Sequence, residues 1–126
     1  MKVECINNQN NSSLEPIIIG KEYVVYALTR LRGEISYCIS DELYPQPVWY
    51  PFSLFKISDP RISRFWIFNF KKYKNEPSPF FGFPEWANDD YFYYNLIEGE
   101  EKERTIIANY KKVMDLEFPS SQVQEI

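Results

Sequence analysis

The chain has 126 residues, of which 44% are hydrophobic and 25% charged, so it can bury one core and does not have the composition of a disordered protein. Its formal net charge of −4 argues against a general electrostatic field for nucleic acid. Aromatic residues are unusually frequent, with ten Tyr, ten Phe and three Trp. Because such side chains dominate both cores and interfaces, we expect some of them on a partner-binding surface.

Charge is distributed unevenly along the chain. From Lys56 to Lys74 six bases stand against one acid, whereas from Glu85 to Glu103 seven acids stand against one base. Basic side chains at a sheet edge keep strands of different molecules from pairing. The acidic segment is suited to a basic partner.

The chain contains no His, so the usual general base near neutral pH and the commonest metal ligand are both absent. Cys5 and Cys38 lie outside any metal-ligand spacing, and a reduced pair is favoured over a disulfide. We therefore expect a non-catalytic protein without a cofactor or metal. The first residues form no apolar signal segment, and no stretch approaches the ~20 apolar residues of a membrane span. A cytoplasmic location without membrane contact is predicted.

The first part of the chain predicts β structure. Val3–Ile6 is a candidate for a short strand, and the polar run Asn7–Ser13 predicts a loop. Tyr23–Leu28 is apolar on both alternating faces, which is typical of a strand buried on both sides. Glu34–Ser40 alternates between apolar and polar side chains. The last two segments, joined by a polar turn in which Gly33 takes a positive φ, predict an antiparallel hairpin.

Prolines organise the next stretch. Two of them place Asp41–Pro47 in a predicted loop, because proline cannot donate to a central strand. Pro51 has the fixed φ that suits the start of a short helical turn. Phe52–Leu54 is therefore predicted as one 3₁₀ turn, and Phe55–Ile57 as the strand that follows. A strand, a proline-started turn and a short strand form the pattern by which small barrels of the Src-homology type close.

The remaining β segment completes the predicted fold class. Arg61–Lys72 is predicted as a longer strand, apolar on both faces over Phe65–Phe68 until Asn69. The charged, proline-rich segment Lys71–Pro79 predicts a loop. The predicted fold is α+β, with a small, strongly bent antiparallel barrel or sheet followed by two C-terminal helices. A single domain is expected, with a β-rich part at 1–75, a helical part at 84–118 and a tail at 119–126.

Two helices are predicted in the last third of the chain. Asn88 is a candidate N-cap for a helix from Asp89 to about Glu98, which Gly99 ends. A second helix is predicted from about Glu101 to Glu117. Its apolar stripe at helical spacing consists of Ile106, Ile107, Tyr110, Val113 and Met114. Its opposite, polar face consists of Glu103, Lys111, Lys112 and Asp115.

Acidic residues of the helical region form the first candidate site. They are Asp89, Asp90, Glu98, Glu100, Glu101 and Glu103. Adjacent carboxylates on a helix point in different directions, and no loop with alternating oxygen ligands is present, so a cation site is disfavoured. Charge at a helix start and on a solvated face is the favoured interpretation. A role in binding a basic partner stays open.

Aromatic rings in the predicted β-rich part form the second candidate site. They are Trp49, Tyr50, Phe52 and Trp66. An exposed groove of such rings would bind prolines of a peptide or stack on nucleic-acid bases. The neighbouring bases that would assist a nucleic-acid strand are Arg61, Arg64, Lys71 and Lys72. The competing interpretation, a barrel core with a charged rim, is the favoured one.

Three short segments carry a family resemblance: Ile19–Val25, Trp49–Ile57 and Phe81–Glu85, the last ahead of the two predicted helices. Together they resemble small bacterial proteins with a Src-homology-3-like barrel and an appended C-terminal helical element, over about residues 17–117. Some of those proteins are immunity proteins of contact-dependent or polymorphic toxin systems. The resemblance implies a small, acidic, cytoplasmic and non-enzymatic protein that blocks a toxin domain, often a basic nuclease.

Two functional hypotheses follow. The first is an immunity or inhibitor protein that binds the C-terminal domain of a cognate toxin, with the acidic residues steering a basic partner and exposed aromatics as anchors. The resemblance supplies no toxin-binding motif, so this interface is inferred from charge. The alternative is an adaptor whose barrel binds single-stranded nucleic acid or a peptide through Trp49, Trp66 and nearby bases. The acidic net charge argues against the nucleic-acid form.

Overall fold

A computed structural model describes residues 1–8, 17–41, 44–73 and 76–119. They form an α+β fold of antiparallel sheets followed by helices, as the sequence predicts. The strands are β1 (Lys2–Cys5), β2 (Glu22–Val24), β3 (Ala27–Leu31), β4 (Glu34–Asp41), β5 (Tyr44–Pro51), β6 (Phe55–Asp59), β7 (Ile67–Tyr73) and β8 (Glu76–Gly82). The helices are α1 (Pro84–Ala87), α2 (Phe92–Ile97) and α3 (Glu101–Glu117), and a 3₁₀ turn spans Phe52–Leu54.

The strands make two antiparallel sheets. The small sheet has the order β2-β1-β6, and the large sheet has the order β5-β4-β3-β8-β7. Neither closes into the predicted barrel, because the chain changes sheet within Tyr23–Leu28, where the sequence predicts one continuous strand. The Val25 N–H donates to the Met1 carbonyl beside the small sheet, whereas the Tyr26 N–H donates to the Cys38 carbonyl of the large sheet. The prediction is therefore correct for antiparallel β structure and wrong for closure.

Two local predictions are confirmed. β3 and β4 form the hairpin, and its two turn residues, Arg32 and Gly33, have φ values of 52° and 83°. Positive φ at both positions gives the backbone twist that suits a two-residue hairpin turn. Pro51 immediately precedes the 3₁₀ turn, and the chain then enters β6. Local turn chemistry therefore specifies these connections.

Two loop predictions that relied on proline are wrong. β5 begins at Tyr44 within the predicted loop Asp41–Pro47, and β8 lies largely within the predicted loop Lys71–Pro79. β5 is an edge strand of the large sheet. A proline whose nitrogen faces away from the neighbouring strand removes no hydrogen bond between strands. β8 pairs with β3 only through Phe80 and Phe81, so its prolines lie outside that ladder.

Other predicted boundaries shift along the chain. The predicted strand Arg61–Lys72 begins only at Ile67, after a turn. Asn88 ends α1 and does not cap α2. Most of the predicted polar loop Asn7–Ser13, and all but the first residue of the predicted tail at 119–126, lie outside the residues that the structure describes.

The large sheet lies between two hydrophobic cores. Because side chains alternate across a strand, Tyr37 and Ile39 of β4 point to the small sheet, and Cys38 between them points to the helices. We call the first the sheet–sheet core; it includes Val3, Val25, Tyr37, Ile39, Tyr50, Phe55 and Trp66. We call the second the sheet–helix core; it consists of Ala27, Cys38, Phe80, Phe83, Trp86, Ala87, Phe92, Leu96 and Ile107.

The end of α2 and the whole of α3 form where the sequence predicts them. α3 has the predicted bounds, and Gly99 ends α2 at a φ of +87°. The Gly99 and Glu100 N–H groups donate back to carbonyls in the last turn of α2, which is the Schellman pattern. Ile107 and Met114 of the predicted apolar stripe are buried, whereas Val113 is exposed. No helix within the described ranges has the length and apolar character needed to cross a bilayer.

Candidate protein-binding surface around the second helix

One face of α2 combines exposed aromatic and aliphatic side chains with carboxylates. Tyr91 is 70% exposed, Tyr94 62% and Ile97 44%. At helical spacing these side chains lie on the side of α2 opposite the buried Phe92 and Leu96. We call this face the α2 surface; it consists of Asp90, Tyr91, Tyr94, Ile97 and Glu98. Two further exposed carboxylates in the adjoining turn are those of Glu100 and Glu101.

The core side of α2 is fixed by aromatic packing. The Phe92 ring lies 5.5 Å from the Phe83 ring and 5.3 Å from the Trp86 ring, measured between centroids. Tyr93 stacks on Trp86 at 5.8 Å, and its hydroxyl donates to the Pro47 carbonyl at 3.0 Å. Helix α2 is therefore joined to both α1 and β5. A surface that is already ordered loses little conformational entropy when a partner binds.

The loop that leads into α2 is held by two side chains of β7. The Lys71 ammonium donates to the Trp86 carbonyl and, at 2.6 Å, to the Asp89 carbonyl. The Asn69 amide donates at 3.0 Å to the Ala87 carbonyl. Burial lowers the pKa of Lys71, and the nearby carboxylates oppose that shift in part. A buried cation thus binds the backbone that positions the first residues of the α2 surface.

Asp89 has a local structural role at the start of α2. Its side chain is half-buried, and its carboxylate accepts a hydrogen bond from the Tyr91 N–H at 2.9 Å. A short carboxylate that bonds to the backbone two residues on fixes a turn. Asp89 therefore orients the backbone at Tyr91.

The six predicted acidic residues divide into two groups. Those that are exposed around α2 and the turn after it are Asp90, Glu98, Glu100 and Glu101. Asp89 is half-buried, and Glu103 is only 5% exposed and lies 3.4 Å from the Asn95 amide that donates to it. The sequence prediction that Glu103 belongs to the polar face of α3 is wrong, because its spacing to the buried Ile107 places it on the core side.

Of the two tryptophans predicted as binding residues, one is buried and the other half-buried. Trp66 is 8% exposed, and its indole N–H donates to the Tyr26 carbonyl at 3.1 Å. Trp49 is half-buried, with its ring 5.8 Å from that of Trp86 and 6.2 Å from that of Tyr93. Trp86 and Tyr93 of the helical region therefore pack against Trp49, and Trp66 is not available as an exposed ring.

A different aromatic surface lies on β7, at the edge of the large sheet. Phe68 is 48% exposed and Phe70 60% exposed, and their rings meet at 5.0 Å. The exposed Lys72 follows on the same side of the strand. We call these three residues the β7 surface. The Phe70 N–H donates to the Asn69 side-chain oxygen at 2.8 Å, so this backbone donor is already satisfied within the strand.

The sequence analysis named Asp90 and Glu98 of the α2 surface but missed its exposed aromatic and aliphatic residues, Tyr91, Tyr94 and Ile97. Tyr91-Phe92-Tyr93-Tyr94 is a run of four aromatics, which gives no indication by composition of which rings are exposed. The spacing of Tyr91, Tyr94 and Ile97, against Phe92 and Leu96, is the signal that separates the two sides. Within the described ranges, no group of three His, Cys, Asp or Glu residues is placed to hold a metal ion.

No protein-family model matches the chain, and neither does any curated protein or solved structure. The function is therefore argued from the chain's own surfaces. The α2 surface, with its carboxylates, and the β7 surface, with Lys72, differ in charge.

Proposed function

We propose that the protein is an immunity or inhibitor protein that binds and neutralises a basic toxin domain through the α2 surface. The observation that carries the proposal is the arrangement of Tyr91, Tyr94 and Ile97 among carboxylates on a helix that is fixed from both sides. Protein interfaces draw most of their binding energy from a few aromatic or apolar anchors inside a polar rim. The α2 surface has both parts.

The sign of the charge supports a basic partner. Four exposed carboxylates surround the anchors, and Lys102 is the single base in the segment from Glu85 to Glu103. Opposite charge across an interface raises the association rate, while buried anchors slow dissociation. A basic toxin domain would therefore be captured quickly by the carboxylates and retained by the tyrosines. Binding of this kind requires no catalytic group on the inhibitor.

The sequence resemblance forms part of the same proposal. The proline-started 3₁₀ turn between β5 and β6 is the feature that supports the resemblance. We propose that the two sheets are an opened form of such a barrel, within a single cytoplasmic domain. The open arrangement leaves the large sheet free to support the helices that carry the α2 surface.

Capture and protection together test the proposal. The tagged chain is co-expressed with the product of the upstream gene, and the expected result is a stoichiometric complex with a toxic C-terminal domain of that product and survival of the host cell. Recovery of the chain without such a partner, and without protection, would contradict the proposal.

Variants then test the interface. Tyr94→Ala should weaken binding by about tenfold or more through faster dissociation, because it removes the central anchor. Reversing Asp90, Glu98 and Glu101 to Lys should slow association at low salt by about tenfold. The matched controls are Phe52→Ala, an exposed ring on the 3₁₀ turn, and Glu34→Lys, an exposed acid on the hairpin. Equal effects of variants and controls would exclude the α2 surface.

The β7 surface favours a second candidate function, an adaptor that binds a peptide or single-stranded nucleic acid. Phe68 and Phe70 offer exposed rings for stacking, and Lys72 supplies a positive charge beside them. Binding of an oligonucleotide should weaken steeply with salt and be reduced by Phe70→Ser. Binding with no dependence on salt would exclude the nucleic-acid form.

A further inference from the structure

One face of the large sheet is only partly covered by the small sheet. Side chains on this face form a row across neighbouring strands from β4 to β7, and its members are Tyr37, Leu28, Phe81 and Phe68. Tyr37, at the β4 end, is buried in the sheet–sheet core, whereas Phe68, at the β7 end, is 48% exposed. The cover provided by the small sheet therefore ends before β7.

A second row lies beside the first, two residues nearer to the turn that joins β3 and β4. Its exposed side chains, in strand order, are those of Ile35, Arg30 and Phe70, and Lys72 follows two residues further along β7. Ile35 is 36% exposed and Phe70 60%. We call this region the open sheet face; it contains the β7 surface and consists of Arg30, Ile35, Phe68, Phe70 and Lys72.

The charge of the open sheet face is positive. Its two charged residues, Arg30 and Lys72, are both exposed, and neither forms a salt bridge with an acid in the ranges that the structure describes. Exposed rings and cations together suit a partner surface that carries aromatic side chains and carboxylates. The α2 surface of this same chain has that composition, with two exposed tyrosines beside Asp90 and Glu98.

The charged groups of the two surfaces are also similarly spaced. Arg30 and Lys72 are two strands and two residues apart, which separates their Cα atoms by roughly 12 Å. Asp90 and Glu98 stand at the two ends of the α2 surface, and eight residues at the rise of a helix also span roughly 12 Å. One contact can therefore pair both bases with both carboxylates, with the rings of the two surfaces between them.

The open sheet face and the α2 surface lie on opposite sides of the large sheet, so they cannot meet within one molecule. We infer that they meet between molecules: the α2 surface of one copy binds the open sheet face of a second copy of this chain. Because the two surfaces differ, the contact is head-to-tail, and further copies can add until a ring closes. Self-association of this kind is a property of the chain alone and does not rest on the proposed function.

Sedimentation velocity of the full chain at low salt, over a range of protein concentrations, measures the association. The expected result is concentration-dependent formation of species larger than the monomer, and added salt should weaken it. Two double variants test the contact. Arg30→Glu/Lys72→Glu reverses the charge of the open sheet face, and Asp90→Lys/Glu98→Lys reverses that of the α2 surface. Each variant alone should associate about tenfold more weakly or less, since like charges then meet.

An equimolar mixture of the two double variants should associate again, because each supplies the surface that the other has lost. Phe70→Ala should weaken the association of the otherwise unchanged chain by about tenfold, since it removes the most exposed ring of the open sheet face. The matched control is Lys56→Glu/Lys112→Glu, which changes the net charge equally at exposed bases outside both surfaces. The control should associate as the wild type does.

Four outcomes would overturn the inference. They are a wild-type chain that stays monomeric at every concentration, an equal loss of association in the control, double variants that do not associate on mixing, and association that survives in Asp90→Lys/Glu98→Lys alone. The last would show that two like surfaces pair instead of two different ones. All substituted side chains are exposed, and circular dichroism verifies that each variant is folded.

Discussion

The sheet–sheet core and the sheet–helix core lie on opposite faces of the large sheet and are built from different parts of the chain. The first joins strands that are distant in sequence, as in the contact of Tyr37 with Phe55 across the two sheets at 5.8 Å. The second draws mainly on the stretch from Phe80 to Ile107, with the Phe83 and Trp86 rings 5.6 Å apart. The α2 surface is carried by the second core alone. Stability and partner binding should therefore respond differently to changes in the two cores.

The largest expected effect comes from removing one buried ring from each core. Phe92→Ala and Phe55→Ala should each lower the free energy of unfolding by about 3–5 kcal/mol, since both rings are almost fully buried. Chemical denaturation measures this loss. Only Phe92→Ala should also increase amide hydrogen exchange in 90–98, because its ring joins α2 to the core. Equal exchange in the two variants would show that the cores do not support α2 separately.

The second effect concerns the buried lysine between the large sheet and the α2 surface. Lys71→Met keeps most of the apolar stem but leaves the Trp86 and Asp89 carbonyls without their donor. The expected cost is about 1–3 kcal/mol of unfolding free energy, with faster amide exchange at 86–91. Lys72→Met, at the exposed neighbouring position, is the control and should change neither quantity. If both variants behave alike, the ammonium of Lys71 does not hold the loop.

The sequence predicted local structure best where one residue decides the backbone. Gly33 and Gly99 take positive φ at the predicted turn and helix end, and Pro51 starts the predicted 3₁₀ turn. Closure of the barrel could not be read in the same way, because nothing in the apolar run Tyr23–Leu28 marks the change of sheet. The prolines of β8 suggested a loop where a strand forms. The strand accommodates them because β8 pairs with β3 only through Phe80 and Phe81, a tertiary pairing that the sequence does not show.

The sequence predicted only some of the residues of the candidate site. Charge counting selects Asp90 and Glu98, and both side chains are exposed. Charge counting cannot detect that Glu103 is buried or that Trp66 gives its N–H to the Tyr26 carbonyl, because both depend on tertiary packing.

The third prediction tests the residue that touches both cores. Tyr110 stacks on Phe83 at 4.0 Å, meets Phe65 at 6.0 Å, and donates its hydroxyl proton to Glu85 at 2.8 Å. Burial, followed by the Glu85 carboxylate, raises the pKa of Tyr110 to about 12. A raised folded-state pKa favours the protonated form, so this contribution to stability is complete below the ordinary value of 10.0 and is lost as pH rises towards about 12.

Thermal unfolding between those pH values measures the effect. The wild-type chain should lose stability relative to Tyr110→Phe as pH rises, because the variant has no proton to lose. Tyr94→Phe is the control, since the Tyr94 side chain is exposed. Parallel stability curves for the wild type and Tyr110→Phe would contradict the prediction.

The smallest expected effect belongs to the small sheet and appears at the opposite end of the pH scale. Asp59, at the end of β6, accepts hydrogen bonds from Arg61, the shortest at 2.6 Å. These bonds hold the pKa of Asp59 at about 2, below its ordinary value of 3.8. A lowered folded-state pKa favours the carboxylate, so its contribution is present above 3.8 and is lost as pH falls towards about 2. The stability advantage of the wild type over Asp59→Asn should be small, because exposed ion pairs are weak, and should shrink across that range. A constant difference in stability between the two proteins would show that the charge of Asp59 does not stabilise the fold.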